Sequence, residues 1–141
     1  MHVQQSLRAQ CPDLRFTQPD SLHLTLKFLG EISGECCSVV EDRLGAMAFA
    51  RLSVQLAGAG VFSPRIVWVA LDGLFAPEHR FMGHITIART RRMPEHIRRT
   101  VTGLEVPECS AEIVSCSLQK SHLSAAGARY ETLARYPLIG S

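Results

Sequence analysis

The stretches HLTL (residues 23–26) and HITI (residues 84–87) alternate between polar and aliphatic side chains. This period of two predicts β-strands that bury one face, because residues two apart in a strand share a side. Each stretch therefore presents one His and one Thr on its polar face and turns its aliphatic side chains toward a core. The fold prediction rests on these two strands, which carry the same pattern at two places in the chain.

The two strands belong to a longer internal repeat. Their histidines lie 61 positions apart, and the strand-like segments around Leu52 and Ile113 have the same separation. A constant offset across several elements predicts two similar lobes, about residues 22–71 and 83–138, within a single domain that spans residues 1–141. We expect a cleft between these lobes, with the matching motifs facing each other across it.

The remaining pattern alternates short helices and strands. Strand 23–29 is expected to bury the side chains of Leu22, Leu24, Leu26 and Phe28, and helix 35–49 those of Val39, Val40, Leu44 and Met47. The predicted elements are helix 2–10, strand 23–29, helix 35–49, strands 51–58, 65–71 and 84–89, helix 94–102, and strands 111–120 and 128–138.

Composition narrows the class of protein. Of the 141 residues, 46% are hydrophobic and 20% charged, which is typical of a globular protein and excludes a disordered tail, a collagen or a coiled coil. No apolar run is long enough to span a membrane, and the sequence MHVQQSLRAQ at the start lacks the apolar core of a signal peptide. The net charge of +2 is too small to indicate a nucleic-acid partner by itself.

The five cysteines indicate a reducing compartment. Their number is odd and no CxxC pair occurs, so we expect no disulfide framework and a cytoplasmic location. Cys and His are not clustered at the spacing of zinc ligands, so we expect no metal site and no cofactor.

Two His-x-Thr motifs that face one point suit a tetrahedral phosphate. The hydroxyl groups of Thr25 and Thr86 can bind phosphate oxygens, while one imidazole takes a proton from water and the other gives one to the leaving oxygen. His suits this work because its ordinary pKa lies near neutrality. A single HxT on a strand is usually structural, but two copies at the repeat offset favour a functional site. The residues do not decide which of His23 and His84 is the acid.

Two further residues are candidates for substrate contacts. Arg89 lies five positions after His84, which in a regular strand places it on the opposite face, so a bulge or a twist is needed to bring it to the phosphate. It begins a run of five arginines in residues 89–99, of which Arg89 is the best candidate for a phosphate contact. Phe81, just before the second motif, is the best candidate for a base contact.

With these residues in view, the chain resembles the 2H phosphoesterase superfamily. It is most similar to the LigT-like branch, the RNA 2′,3′-cyclic phosphodiesterases that are also described as 2′-5′ RNA ligase-like. The resemblance is carried by LHLTLKFLGEI (22–32), RIVWVAL (65–71), GHITIAR (83–89) and the tail from Ser117 to Leu138. It implies a bilobal α+β fold with two pseudo-symmetric lobes and antiparallel sheets around a central cleft.

The resemblance also implies an activity and a role for each residue. The activity is hydrolysis of RNA 2′,3′-cyclic phosphate ends to 2′-phosphomonoesters without metal. As partners we expect tRNA fragments, other RNA ends or small cyclic nucleotides, with no membrane contact, and we expect a monomer. His23 is the implied proton donor and His84 the implied proton acceptor, while Thr25, Thr86 and Arg89 bind the phosphate. The alternatives are ATP-independent 2′-5′ RNA ligation and an RNA- or nucleotide-binding module without catalysis.

The sequence departs from the family pattern in three places. The chain begins inside what looks like the first helix, without the apolar strand that opens other family members. Residues 72–83 are too few for the crossover helix expected before the second motif. Gly83 precedes His84, where many relatives have Pro.

Overall fold

The computed structural model describes residues 2–73, 81–125 and 127–140. Within these residues the chain forms three helices, two short 3-10 turns (Pro19–Ser21 and Ser63–Arg65) and seven strands. The helices are α1 (His2–Gln10), α2 (Gly34–Gly45) and α3 (Glu95–Thr102). The strands are β1 (Arg15–Phe16), β2 (Leu52–Phe62), β3 (Ile66–Asp72), β4 (Gly83–Arg89), β5 (Ser110–Ile113), β6 (Ser115–Ser124) and β7 (Gly127–Pro137).

The chain forms two compact units, each built from two segments. Unit 1 consists of Met1–Leu26 and Val54–Ala111, and unit 2 consists of Lys27–Ser53 and Glu112–Ser141. Both His-x-Thr motifs belong to unit 1. The single domain with its internal repeat stays a prediction.

Unit 1 is built on a five-stranded sheet in the order β1-β4-β3-β2-β5. Along β3 and β4 successive side chains alternate between two faces, and the buried aliphatic ones, such as Val67 and Val69, pack with α1 and α3. The result is one buried cluster, made of Leu7, Cys11, Leu14, Val67, Val69, Ile87, Ala88, Ile97 and Val101. The helices α1 and α3 thus cover one face of the sheet. The alternate side chains of β3 and β4 lie on the opposite face, which these helices do not cover.

Unit 2 contains α2 and the β6–β7 hairpin, whose strands are antiparallel. Ser33 caps α2 by accepting a hydrogen bond from the backbone N–H of Cys36 at 3.2 Å. The hydroxyl group of Tyr136 on β7 donates to the carbonyl oxygen of Glu41 on α2 at 3.4 Å. None of the residues of α2 is buried, and Val39 is 54% exposed. The predicted inner face is therefore only partly present. Val40 and Leu44 are half-buried, whereas Val39 and Met47 are exposed, and Met47 lies beyond the end of α2.

The predicted strand 23–29 is also wrong. Only Leu24 forms a bridge, while Leu26 and Phe28 are 47% and 79% exposed. An alternating sequence forms a strand only where a neighbouring strand supplies backbone hydrogen bonds. Here the neighbouring strand is β4, and the segment pairs with it only at Leu24. The predicted strand 111–120 divides at Val114 into β5 and β6, and β1 was not predicted because two residues carry no period.

The other predicted elements are present with shifted ends. Helix α1 spans residues 2–10 as predicted, and β3, β4, α3 and β7 begin and end within one residue of their predicted bounds. The connection before the second motif, residues 74–80, lies outside the described residues. Over the described part of the chain, no helix has both the length and the apolar character needed to cross a membrane.

Candidate functional site

The second motif lies on β4, between β1 and β3 of the unit 1 sheet. Along β4, His84 pairs with Ala70 and Thr86 pairs with Trp68 of β3. Directly opposite residues of an antiparallel pair share a face, and Ile85 between the two polar residues packs against the core cluster. His84 and Thr86 therefore lie on the face that the helices leave uncovered.

The first motif lies beside the second. Leu24 forms an antiparallel bridge with Ile85. Continuing this register by one residue on each side brings His23 opposite Thr86 and Thr25 opposite His84. Opposite side chains in such a pair have Cβ atoms about 4.5–5.5 Å apart, and diagonal neighbours are about 7–8 Å apart. This register predicts that the two histidines are diagonal neighbours, at a separation that suits a phosphate group between their rings.

Both imidazoles are held in the same way. Nδ1 of His23 lies 2.8 Å from the carbonyl oxygen of Ser21, and Nδ1 of His84 lies 3.1 Å from that of Met82. A carbonyl oxygen only accepts, so Nδ1 donates its proton in each case. In the neutral ring Nε2 then has no proton, and it is the atom that gains or loses one. In both motifs the partner is the carbonyl two residues earlier, so the two strands orient the two rings alike.

An aromatic cluster surrounds His84 and distinguishes it from His23. The Phe62 ring meets the imidazole edge to face at 4.9 Å and stacks on Trp68 at 4.8 Å, and the Trp68 and His84 rings lie 6.4 Å apart. The indole lies over Gly60, where an added Cβ would overlap its Cζ2 atom. Gly60 therefore makes the space for Trp68, and these rings leave His84 half-buried while His23 is exposed.

A β-bulge interrupts β4 after the second motif. Val67 pairs with Ala88 and Trp68 with Thr86, so Ile87 is one residue more than β3 can match. Ile87 and Ala88 are 5% and 0% exposed, and both belong to the core cluster. Two successive residues thus turn to the same side, which shifts the alternation of the strand by one position.

The bulge changes the face on which Arg89 lies. Arg89 pairs with Ile66, which is two residues from Trp68 on β3 and shares its face. Arg89 is therefore on the same face as His84, although the odd spacing between them would separate them in a regular strand. The bulge required by the sequence analysis is present.

A buried amide fixes the backbone at this bulge. Nε2 of Gln4 on α1 donates to the carbonyl oxygens of Ile87 and Thr17, at 2.8 Å each, and Gln4 is only 7% exposed. The N–H of Thr17 also donates to the Ile87 carbonyl at 3.0 Å. Gln4 was not among the predicted site residues. The available signal was its place on α1 one turn before Leu7, on the face that packs against the core.

Phe81 is half-buried and lies three residues before His84. A base contact for it stays a prediction. No group of three or more His, Cys, Asp or Glu is placed to hold a metal ion among the residues that the structure describes.

Comparison with known proteins gives matches in sequence and in structure. The family "LigT like Phosphoesterase" matches residues 2–68. An RNA 2′,3′-cyclic phosphodiesterase of Aeropyrum pernix is 29% identical, over 85% of this chain and 84% of its own length. The crystal structure of Escherichia coli LigT complexed with phosphate has a TM-score of 0.67 and 25% identity, covering 97% of this chain and 90% of that one. A Thermus thermophilus crystal structure has a TM-score of 0.71 and 23% identity, covering 99% and 89%.

The structural matches agree with the antiparallel sheets that the chain forms. The resemblance that the motifs indicated is confirmed, and so is the α+β fold class. The chain is therefore similar to LigT-like phosphoesterases, in sequence over residues 2–68 and in fold over most of its length.

Proposed function

We propose that this protein hydrolyses RNA 2′,3′-cyclic phosphate ends to 2′-phosphomonoesters by metal-independent acid–base catalysis with two histidines. The enzyme class follows from the relatives, four of which carry the name RNA 2′,3′-cyclic phosphodiesterase. One observation carries the mechanism: the two His-x-Thr motifs lie side by side on one sheet face, with both Nδ1 atoms donating to carbonyl oxygens.

The proposed reaction uses the two Nε2 atoms in opposite states. Nε2 of neutral His84 takes a proton from water, and the water oxygen attacks phosphorus. The bond from phosphorus to O3′ breaks, and Nε2–H of protonated His23 gives its proton to O3′. The products are a 2′-phosphomonoester and a free 3′-hydroxyl group, and solvent then restores both rings. The contacts of Ser21 with His23 and of Met82 with His84 suit both charge states, because Nδ1 keeps its proton throughout.

The phosphate oxygens carry the negative charge of the transition state. The hydroxyl groups of Thr25 and Thr86 donate to the non-bridging oxygens from beside the two histidines, and the guanidinium of Arg89 neutralises charge from the same face. We retain Phe81 as the base contact, since it precedes the second motif on the same strand connection.

The substrate is an RNA end, such as a tRNA fragment, or a small cyclic nucleotide, and the proposed location is the cytoplasm. The location is supported by the cysteines, since all five are free thiols. We propose that the protein acts as a monomer, because both motifs lie in one unit of one chain.

The test is turnover of an oligonucleotide that ends in a 2′,3′-cyclic phosphate, in the presence of excess chelator. We expect multiple turnovers and a product with a 2′-phosphate, identified by its resistance to a 3′-specific phosphatase and by mass. A 5′-hydroxyl RNA added to the same reaction tests ligation, and we expect no joined product. Binding of the RNA end without any turnover would contradict the proposal and favour a binding module.

A further inference from the structure

An open cavity of about 470 Å³ lies beyond the end of β4. Arg15, Arg91 and Arg92 line it, together with the single carboxylate of Asp13. Its position continues the candidate site, because Arg15 pairs with Arg89 across β1 and β4. Directly opposite residues share a face, so Arg15 lies on the same sheet face as the two motifs.

Among the described residues that line this cavity, three arginines face a single carboxylate, that of Asp13. Within residues 2–73, 81–125 and 127–140, no carboxylate forms an ion pair with Arg15, Arg89, Arg91 or Arg92. Other arginines of the chain are paired, since Arg98 and Arg99 both contact Glu95. Guanidinium groups gathered without partners repel one another, and a bound phosphate relieves that repulsion with hydrogen bonds in a planar fork.

The cavity is too far from the histidines to bind the cyclic phosphate itself. Arg89 lies about four strand steps from His84 once the bulge is allowed for, or about 13 Å. Arg15 lies opposite Arg89 at the same level of the sheet, and Arg91 and Arg92 follow beyond the end of β4. A single nucleotide held at the two histidines ends before this point, whereas an oligonucleotide continues past it. The ligand that fits both places is a chain of phosphates.

We propose that Arg15, Arg91 and Arg92 form a subsite for backbone phosphates of the RNA strand that precedes the cyclic end. This inference rests on the proposed function and adds to it a substrate class, since it makes RNA strands better substrates than nucleoside cyclic phosphates. Arg89, which lies directly opposite Arg15, connects the subsite to the scissile phosphate.

The test compares two substrates in the same enzyme. We measure kcat/KM for a hexanucleotide with a 2′,3′-cyclic phosphate end and for a nucleoside 2′,3′-cyclic phosphate, and take their ratio. In the variant Arg15→Gln, Arg91→Gln, Arg92→Gln the ratio should fall about tenfold, because charge-assisted contacts to the strand are lost. For the hexanucleotide, the slope of log kcat/KM against log salt concentration should become less negative by about 0.7 for each phosphate contact removed.

The matched control is Arg98→Gln, Arg99→Gln, which removes arginines that are already paired on α3. Its ratio should stay within about twofold of the wild-type value. The subsite is wrong if the triple variant keeps the wild-type ratio, or if the control loses as much as the triple variant does.

A second measurement separates this inference from the proposed function. If the wild-type protein hydrolyses neither substrate, hydrolysis itself is wrong, and fluorescence anisotropy with a labelled hexanucleotide still tests the subsite. Weaker and less salt-dependent binding by the triple variant than by the control supports the subsite. Equal binding by the two variants overturns it.

Discussion

His84→Ala is expected to lower kcat for a 2′,3′-cyclic phosphate end by about 10²–10⁴-fold, and His23→Ala by a similar factor. Each change removes one of the two proton transfers on which the proposed reaction depends. The double variant should lose little more than either single variant, because the two transfers serve one step. The measurement is kcat with the cyclic-phosphate oligonucleotide at saturating concentration.

His96→Ala is the matched control for these two variants. His96 is exposed on α3 in the same unit and lies outside both motifs. We expect its kcat to stay within about twofold of the wild-type value. Nearly full activity in either motif variant would remove the corresponding histidine from the mechanism, and an equal loss in all three would indicate a general effect on folding.

Gln4→Met is expected to lower the free energy of unfolding by about 2–3 kcal/mol. The substitution keeps the size of the side chain but removes the amide that donates to the carbonyl oxygens of Ile87 and Thr17. A buried acceptor that loses its donor bears the cost of its own desolvation. Urea denaturation measures the change, as a lower midpoint at an unchanged m-value.

Gln5→Met on the same helix is the matched control, because Gln5 is exposed. We expect its unfolding free energy to change by less than about 0.5 kcal/mol. The bulge at Ile87 also positions Arg89, so Gln4→Met should reduce kcat/KM less in an Arg89→Gln background than in the wild-type protein. Equal stabilities of the two Met variants would show that the buried amide does not hold the bulge.

The site motifs could be predicted from the sequence because they obey a short period. In HLTL and HITI, alternation alone puts each His beside its Thr, and the bridge between Leu24 and Ile85 agrees with the side that each residue takes. The same pattern predicts too long a first strand. The alternation continues through Phe28, but the segment pairs with a neighbouring backbone only at Leu24. Period describes which face a residue would take, but strand pairing decides whether the strand forms.

The features that complete the site depend on tertiary contacts. The bulge at Ile87 involves two ordinary apolar residues, and no Gly or Pro marks it, so the sequence indicates only that Arg89 needs one. Gln4 is polar in a helix of mixed composition, and its role becomes visible when Ile87 and Thr17 meet it. The aromatic cluster joins Phe62 on β2 to His84 on β4, which are distant in the sequence. Gly60 leaves room for the Trp68 ring of this cluster, and that contact is visible only in the folded chain.

The pH dependence of kcat/KM tests the central claim most directly, that the two motif histidines act together as acid and base. The wild-type enzyme, with a cyclic-phosphate oligonucleotide in excess chelator, should show a bell-shaped profile, because turnover needs one ring neutral and the other protonated. The residual activity of His84→Ala should lose the limb that falls at low pH, and that of His23→Ala the limb that falls at high pH. A profile that keeps both limbs in both variants would contradict the account.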